Sequence, residues 1–124
     1  MAKSSPASRA TEDLLPNLLR STILAGVRDE GPDLTLRQLA VLLNIYLEPD
    51  GRHTVRGLAA ALNISKPAIT RALDRLEDLA FAKRQIDPLD RRSVLARRTP
   101  AGTAYFRVFR TYVTEAGGSA KNIE

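Results

Sequence analysis

Three residues, Asn63-Ile64-Ser65, limit what this chain can fold into more than any others. Before them, Thr54 stands where a helix is capped, and Val55, Leu58, Ala59 and Leu62 recur at helical spacing. Asparagine tolerates the left-handed conformation that stops a helix, and Ile64 is the hydrophobic residue that commonly follows. Ser65 then caps a new helix at once. Beyond it, Ile69, Ala72, Leu73, Leu76, Leu79 and Ala80 lie on one stripe. Two helices joined by a three-residue turn make a helix-turn-helix. The arrangement is common, so the flanking sequence decides what it serves.

Upstream, residues 13–28 read as a helix, with Asp13 able to cap it, Pro16 tolerable in its first turn, and an apolar face of Leu14, Leu15, Leu18, Leu19, Ile23 and Leu24. Gly31, Pro32 and Asp33 break the chain. Thr35 and Gln38 match a capping box, with Leu34 and Leu39 at the staple positions. The helix they start has Leu36, Leu39, Ala40, Leu43 and Leu47 at helical spacing and ends at Pro49, Asp50 and Gly51. Downstream the period changes. AKRQI and SVLARR are short β-compatible runs around DPLDRR, whose proline and aspartates predict a loop, so 82–98 reads as a hairpin. Thr99 and Pro100 open a last helix with Ala101, Ala104, Tyr105, Val108, Phe109 and Tyr112 on one face and Gly117-Gly118 at its end. The expectation is a mainly α chain with a small β-hairpin (α+β), a winged helix-turn-helix. A disordered tail is expected over 1–10, a single domain with flanking helices over 11–116, and a flexible tail over 117–124.

Charge is concentrated within this frame. Residues 52–110 hold thirteen basic and five acidic residues, net +8, while the whole chain of 124 residues is +5. The flanks are therefore slightly acidic. A basic segment of this kind points to an anionic partner, although mixed charges also occur on plain solvated helix faces. With no cysteine and one histidine, His53, thiol chemistry and clusters of cysteine or histidine around a metal are excluded. His53, just before a helix cap, is expected to face solvent or to be hydrogen-bonded. No Gly-rich phosphate loop is present, so an enzyme and a cofactor are not expected. MAKSSPASRA has no apolar signal core, and no apolar run reaches the roughly 18 residues that span a bilayer, so the expected location is cytoplasmic without membrane binding.

On the outer face of the 66–79 helix, Lys66, Thr70 and Arg71 come first and Asp74, Glu77 and Asp78 last. A recognition helix presents its N-terminal residues to base edges in this way. The hairpin adds Lys83, Arg84, Arg91, Arg92, Arg97 and Arg98 against Asp87 and Asp90.

These residues resemble the MarR family of bacterial transcriptional regulators. The likeness runs from Leu34 to Gly102 through LTLRQLAVLLNI, TVRGLAAALNIS, KPAITRALDRLEDLAF and KRQIDPLDRRSVLARRTPAG. The wing motif Asp-x-Arg stands at Asp90-Arg91-Arg92, after Asp87-Pro88, and Thr99-Pro100-Ala101-Gly102 closes the match. Ala80 replaces the family's usual glycine, Arg98 replaces a usual leucine, and the 22 residues after Gly102 suffice for one helix where the family has two.

The resemblance implies a sequence-specific regulator that binds double-stranded DNA as a homodimer through its first and last helices. It places helix 66–79 in the major groove, with Ser65, Lys66, Pro67, Thr70 and Arg71 at the bases and phosphates. It places wing 82–98 in the minor groove, with Arg92 inserted and Asp90 orienting it. Lys83, Arg84, Arg91 and Arg97 are expected at phosphates. Arg75 joins them, or pairs with Asp74, Asp78 or a wing aspartate. Family members often answer to small molecules, but no residue here identifies such an effector. The alternative is a winged helix repurposed to bind proteins, with weak or non-specific DNA binding.

Overall fold

The computed structural model describes residues 6–48 and 53–121, with side chains over 9–48 and 53–118. In chain order the elements are α1 (Pro6–Glu12), α2 (Leu14–Arg28), α3 (Leu36–Leu47), β1 (His53–Thr54), α4 (Val55–Leu62), α5 (Lys66–Asp78), β2 (Ala82–Asp87), β3 (Asp90–Arg98) and α6 (Pro100–Lys121). They form two compact units. One is Leu34–Phe106, and the other combines the described residues before 34 with those from 107 onward. Among the described residues no helix is long and apolar enough to cross a membrane.

The unit Leu34–Phe106 is a winged helix. Thr35 closes the predicted capping box, its hydroxyl accepting from Gln38 N–H at 3.2 Å while its own N–H donates to Gln38 Oε1 at 3.0 Å. Asn63 takes the left-handed conformation, φ 53°, and the Ile64 N–H reaches back to Ala59 O at 3.1 Å. Ser65 Oγ then accepts from Ala68 N–H at 3.2 Å. The core is built from Val41, Leu42, Ile45, Leu58, Ile69, Leu73 and Leu76, each at most 2% exposed. Burying side chains of this size stabilises by roughly 1.5–3 kcal/mol each before conformational entropy is subtracted.

Several expectations are corrected here. The buried face of α3 is Val41, Leu42, Ile45 and Tyr46, whereas Leu36 and Leu47 are 83% and 61% exposed. The helix is apolar nearly all round, so periodicity alone does not choose its face. The expected 87–92 loop shrinks to Pro88-Leu89, because Asp87 and Asp90 already pair across the hairpin and Arg91 and Arg92 belong to β3. A third strand, β1, pairs His53 with Ala96 and Thr54 with Leu95, giving the sheet order β1-β3-β2. His53 is half-buried rather than solvent-facing, and its Nε2 is buried with no hydrogen-bond partner among the described residues.

Two departures from the family pattern have visible consequences. Ala80 adopts φ 61°, and the Phe81 N–H bonds Leu76 O at 2.8 Å, so the glycine-type helix stop forms without glycine. Arg98 turns to the C-terminus of α3, where Nε donates to Ile45 O at 2.8 Å and Nη2 to Glu48 O at 3.0 Å. Its guanidinium lies 5.6 Å from the Tyr46 ring centroid. The cation thereby satisfies carbonyls that the helix end leaves free, at the negative end of the helix dipole. Tyr46 Oη donates to Phe81 O at 2.9 Å and accepts from Thr99 N–H at 3.1 Å, tying α3 to the chain after α5 and to the start of α6. Gly102 makes this possible, since a methyl group there would collide with Tyr46 Oη and Phe81 O.

The second unit differs from expectation at its ends. Residues 6–12 are helical although 1–10 read as a tail, and the remaining tail residues 1–5 lie outside the described ones. Asp13 makes no side-chain cap, because the backbone is helical through it: its N–H bonds Arg9 O at 2.9 Å. α6 runs past Gly117-Gly118 to Lys121, with 122–124 outside the described residues, as are Pro49, Asp50 and Gly51. Along α2, Thr22 alone is buried, its hydroxyl donating to Leu18 O at 2.8 Å. Tyr112 Oη donates to the Asp29 carboxylate.

Candidate nucleic-acid interface

Three helices of the winged unit begin with a cation and no acid in the first turn: Arg37 in α3, Arg56 in α4 and Lys66 in α5. A cation at that end opposes the helix dipole, so each placement costs a little stability unless an anion arrives to offset it. Thr35, Thr54 and Ser65 fix these ends through their caps. The three starts lie around the exposed face of α5.

Two clefts flank that face. The larger, of about 430 Å³, lies between the start of α4, the start of α5 and the wing, and brings together Arg56, Lys66, Thr70, Asp90 and Arg92. The smaller, of about 220 Å³, lies between α3 and α5 and brings Arg37 beside Arg71. Arg37 and Arg56 did not emerge from the sequence as site residues. The signal was available, since each stands two residues after a helix-capping threonine.

Ser65, Lys66, Pro67, Thr70, Arg71 and Arg75 are all exposed. The Arg71 side chain lies back along α5, its Nε 3.5 Å from Pro67 O. Arg75 pairs with no carboxylate among the described residues, and Asp74, one of those it was expected to share, is taken by Arg84. Arg84 Nη2 lies 2.6 Å from Asp74 Oδ1 and Nε lies 2.5 Å from Glu77 Oε1. The Arg84 N–H also donates to Glu77 at 3.2 Å. Hydrogen bonding to Glu77 raises the Arg84 pKa above its ordinary value against partial desolvation, with Asp74 adding to the rise. The wing thus partly offsets the acidic half of α5, engaging Asp74 and Glu77 through Arg84.

Arg92 is the most projecting of the wing cations with a fixed partner. Its side chain is 94% exposed, and Nε lies 3.4 Å from Asp90 Oδ1. Asp90 also accepts from the Arg92 backbone N–H at 3.1 Å and from Ser93 Oγ at 3.3 Å. That backbone hydrogen bond is the main reason its carboxyl stays below the usual carboxylate range. Arg91 is exposed nearby and lines neither cleft. Lys83 and Arg97 are exposed and directly opposite each other across β2 and β3. Like charges at such positions repel, and a bound anion would relieve them.

Comparison with known proteins bears on the family and the fold. The sequence model of the MarR family matches residues 33–93. The solved structure of MarR is 30% identical, with TM-score 0.63, covering 86% of this chain and 77% of that one. A transcriptional regulator from Thermotoga maritima is 25% identical, with TM-score 0.69, covering 94% and 75%. The MepR–DNA complex from S. aureus, 20% identical with TM-score 0.65 over 93% and 85%, shares the fold. A search of curated proteins returns no match. On its winged unit, its sequence match and its likeness to MarR, the chain belongs to the MarR family.

Proposed function

We propose how this MarR-family chain, a DNA-binding transcriptional regulator, reads its site. The N-terminal half of α5 enters the major groove, with Arg71 reaching guanine O6 and N7 and Thr70 touching a thymine methyl or a phosphate. Lys66, Arg56 and Arg37 hold phosphates at the three helix starts. Arg92, oriented by Asp90, lies in the minor groove, where a narrow A·T-rich stretch attracts arginine. Arg75, Arg91, Lys83 and Arg97 reach phosphates from the helix and the wing. Arg84 instead positions the wing, since Asp74 and Glu77 engage it. The observation that carries the reading is the cleft where Arg56, Lys66, Thr70 and Arg92 meet.

A homodimer completes it. Leu15, Leu19, Ile23 and Val27 recur every four residues on α2 and are 71%, 58%, 46% and 63% exposed. Such a stripe is built to be covered, and a second copy covering it would place two winged units on two half-sites.

The test is binding of a duplex selected from a random pool. Arg71→Ala should cost about tenfold or more and relax preference at one base position. Arg92→Ala should weaken binding chiefly at A·T-rich flanks. Affinity of the parent should fall with log salt at a slope of about −0.9 per phosphate neutralised. If both variants bind like the parent, the groove assignments are wrong.

A further inference from the structure

The wing tip carries something that charge does not account for. Leu89, in the turn between β2 and β3, is 80% exposed, and Ile86 just before it is 62% exposed. Ile86 pairs with Val94, the last regular pair before the register shift that sets Asp87 opposite Asp90. Turns this short ordinarily take asparagine, aspartate or glycine, which suit both solvent and positive φ. Here Pro88 holds a negative φ, Leu89 has no positive φ, and an irregularity at Ile86/Asp87 accommodates the mismatch. The turn is nonetheless fixed: Asp87, only 2% exposed, accepts the Leu89 N–H at 2.9 Å. A large apolar side chain is therefore held out from a defined backbone, beside the exposed cations Arg91 and Arg92.

The charges decide what covers it. An apolar protein surface would desolvate Arg91 with no partner offered and Arg92 with only Asp90 to offset it, which is unfavourable. The minor groove offers the matching pattern, with apolar deoxyribose walls inside and phosphates along the edges. Leucine and proline are among the side chains that wedge into it. We propose that Leu89 is an apolar minor-groove contact of this wing. It packs against the sugar walls and partly opens a flexible pyrimidine–purine step, while Arg92 lies in the groove and Arg91 reaches its phosphate edge. This rests on the wing reading above and adds a residue that senses DNA deformability to one that senses its charge.

The experiment compares the parent, Leu89→Ala, Leu89→Gln and Leu89→Met on one selected duplex, and on the same duplex with its TA or CA steps under the wing replaced. Because the side chain is exposed, thermal unfolding should be unchanged in all three. Leu89→Ala should bind about tenfold more weakly, with the salt slope of the parent. Leu89→Gln should do no better, Leu89→Met should retain most affinity, and replacing the flexible step should weaken the parent more than Leu89→Ala. Affinity of Leu89→Ala within twofold of the parent overturns the proposal, as does a loss accompanied by a shallower salt slope. A parent with no sequence preference overturns the functional reading itself. A parent that is specific while Leu89→Ala matches it overturns the wedge alone.

Discussion

The two units solve the burial problem in opposite ways. In Leu34–Phe106, seven large side chains from α3, α4 and α5 are essentially fully buried, and its charges are spent on caps, on the wing and on the exposed face of α5. In the other unit, α2 buries Thr22 and leaves Leu15, Leu19, Ile23 and Val27 in the open. The winged unit buries its large apolar side chains within itself, whereas α2 leaves an apolar stripe exposed. On the proposed reading, the same chain separates a cationic surface that reads DNA from an apolar surface that assembles.

Replacing a leucine should have different consequences in the two units. Leu73→Ala removes a fully buried side chain and should cost about 3 kcal/mol of stability, read by denaturant unfolding at any protein concentration. Leu19→Glu should cost the winged unit less than about 0.5 kcal/mol, yet halve the mass seen by light scattering. Equal effects of the two on unfolding would erase the contrast. Next, Gly102→Ala should destabilise the winged unit by about 2 kcal/mol, because the methyl group drives into Tyr46 and Phe81. An added Tyr46→Phe change should recover only part of this, since the Phe81 carbonyl still obstructs.

Smaller effects sharpen the picture. Ala80→Gly should stabilise by about 1 kcal/mol, the cost of a left-handed alanine, with the gain read as a higher midpoint at unchanged slope. Arg84→Ala should cost about 0.5–1 kcal/mol at low salt and almost nothing in 1 M salt, as expected for a partly exposed ion-pair network. It should also weaken DNA binding, by releasing Asp74 and Glu77 toward the phosphates.

What was legible in the sequence was local. The Thr35 box, the Asn63 stop and the Ser65 cap depend on neighbours within a few residues and form, and the expected stripe of α5 is buried at Ile69, Ala72, Leu73 and Leu76 but not at Leu79 and Ala80, which lie past the helix end, half-buried and exposed. What was not legible depends on distant partners. β1 is two residues long and exists only because β3 lies alongside it. Nothing near Arg84 in the chain shows that it reaches back to Asp74 and Glu77, or that Arg98 ends α3 some fifty residues earlier. α3 misled for a different reason, since apolar residues cover most of its circumference and the core selects the face. The cations chosen from the sequence on α5 are all exposed, while Arg37 and Arg56, though each follows a capping threonine, join them through the clefts that folding forms between helix starts.

The central claim is that one cationic face, present once per chain and doubled by the α2 stripe, reads DNA. Selection of bound duplexes from a random pool tests it most directly. The account predicts an inverted repeat, its half-sites centred about one helical turn apart and flanked by A·T-rich steps under the wings. Enrichment of a single unrepeated half-site would contradict the dimer, and no enrichment at all would contradict the reading of α5 and the wing.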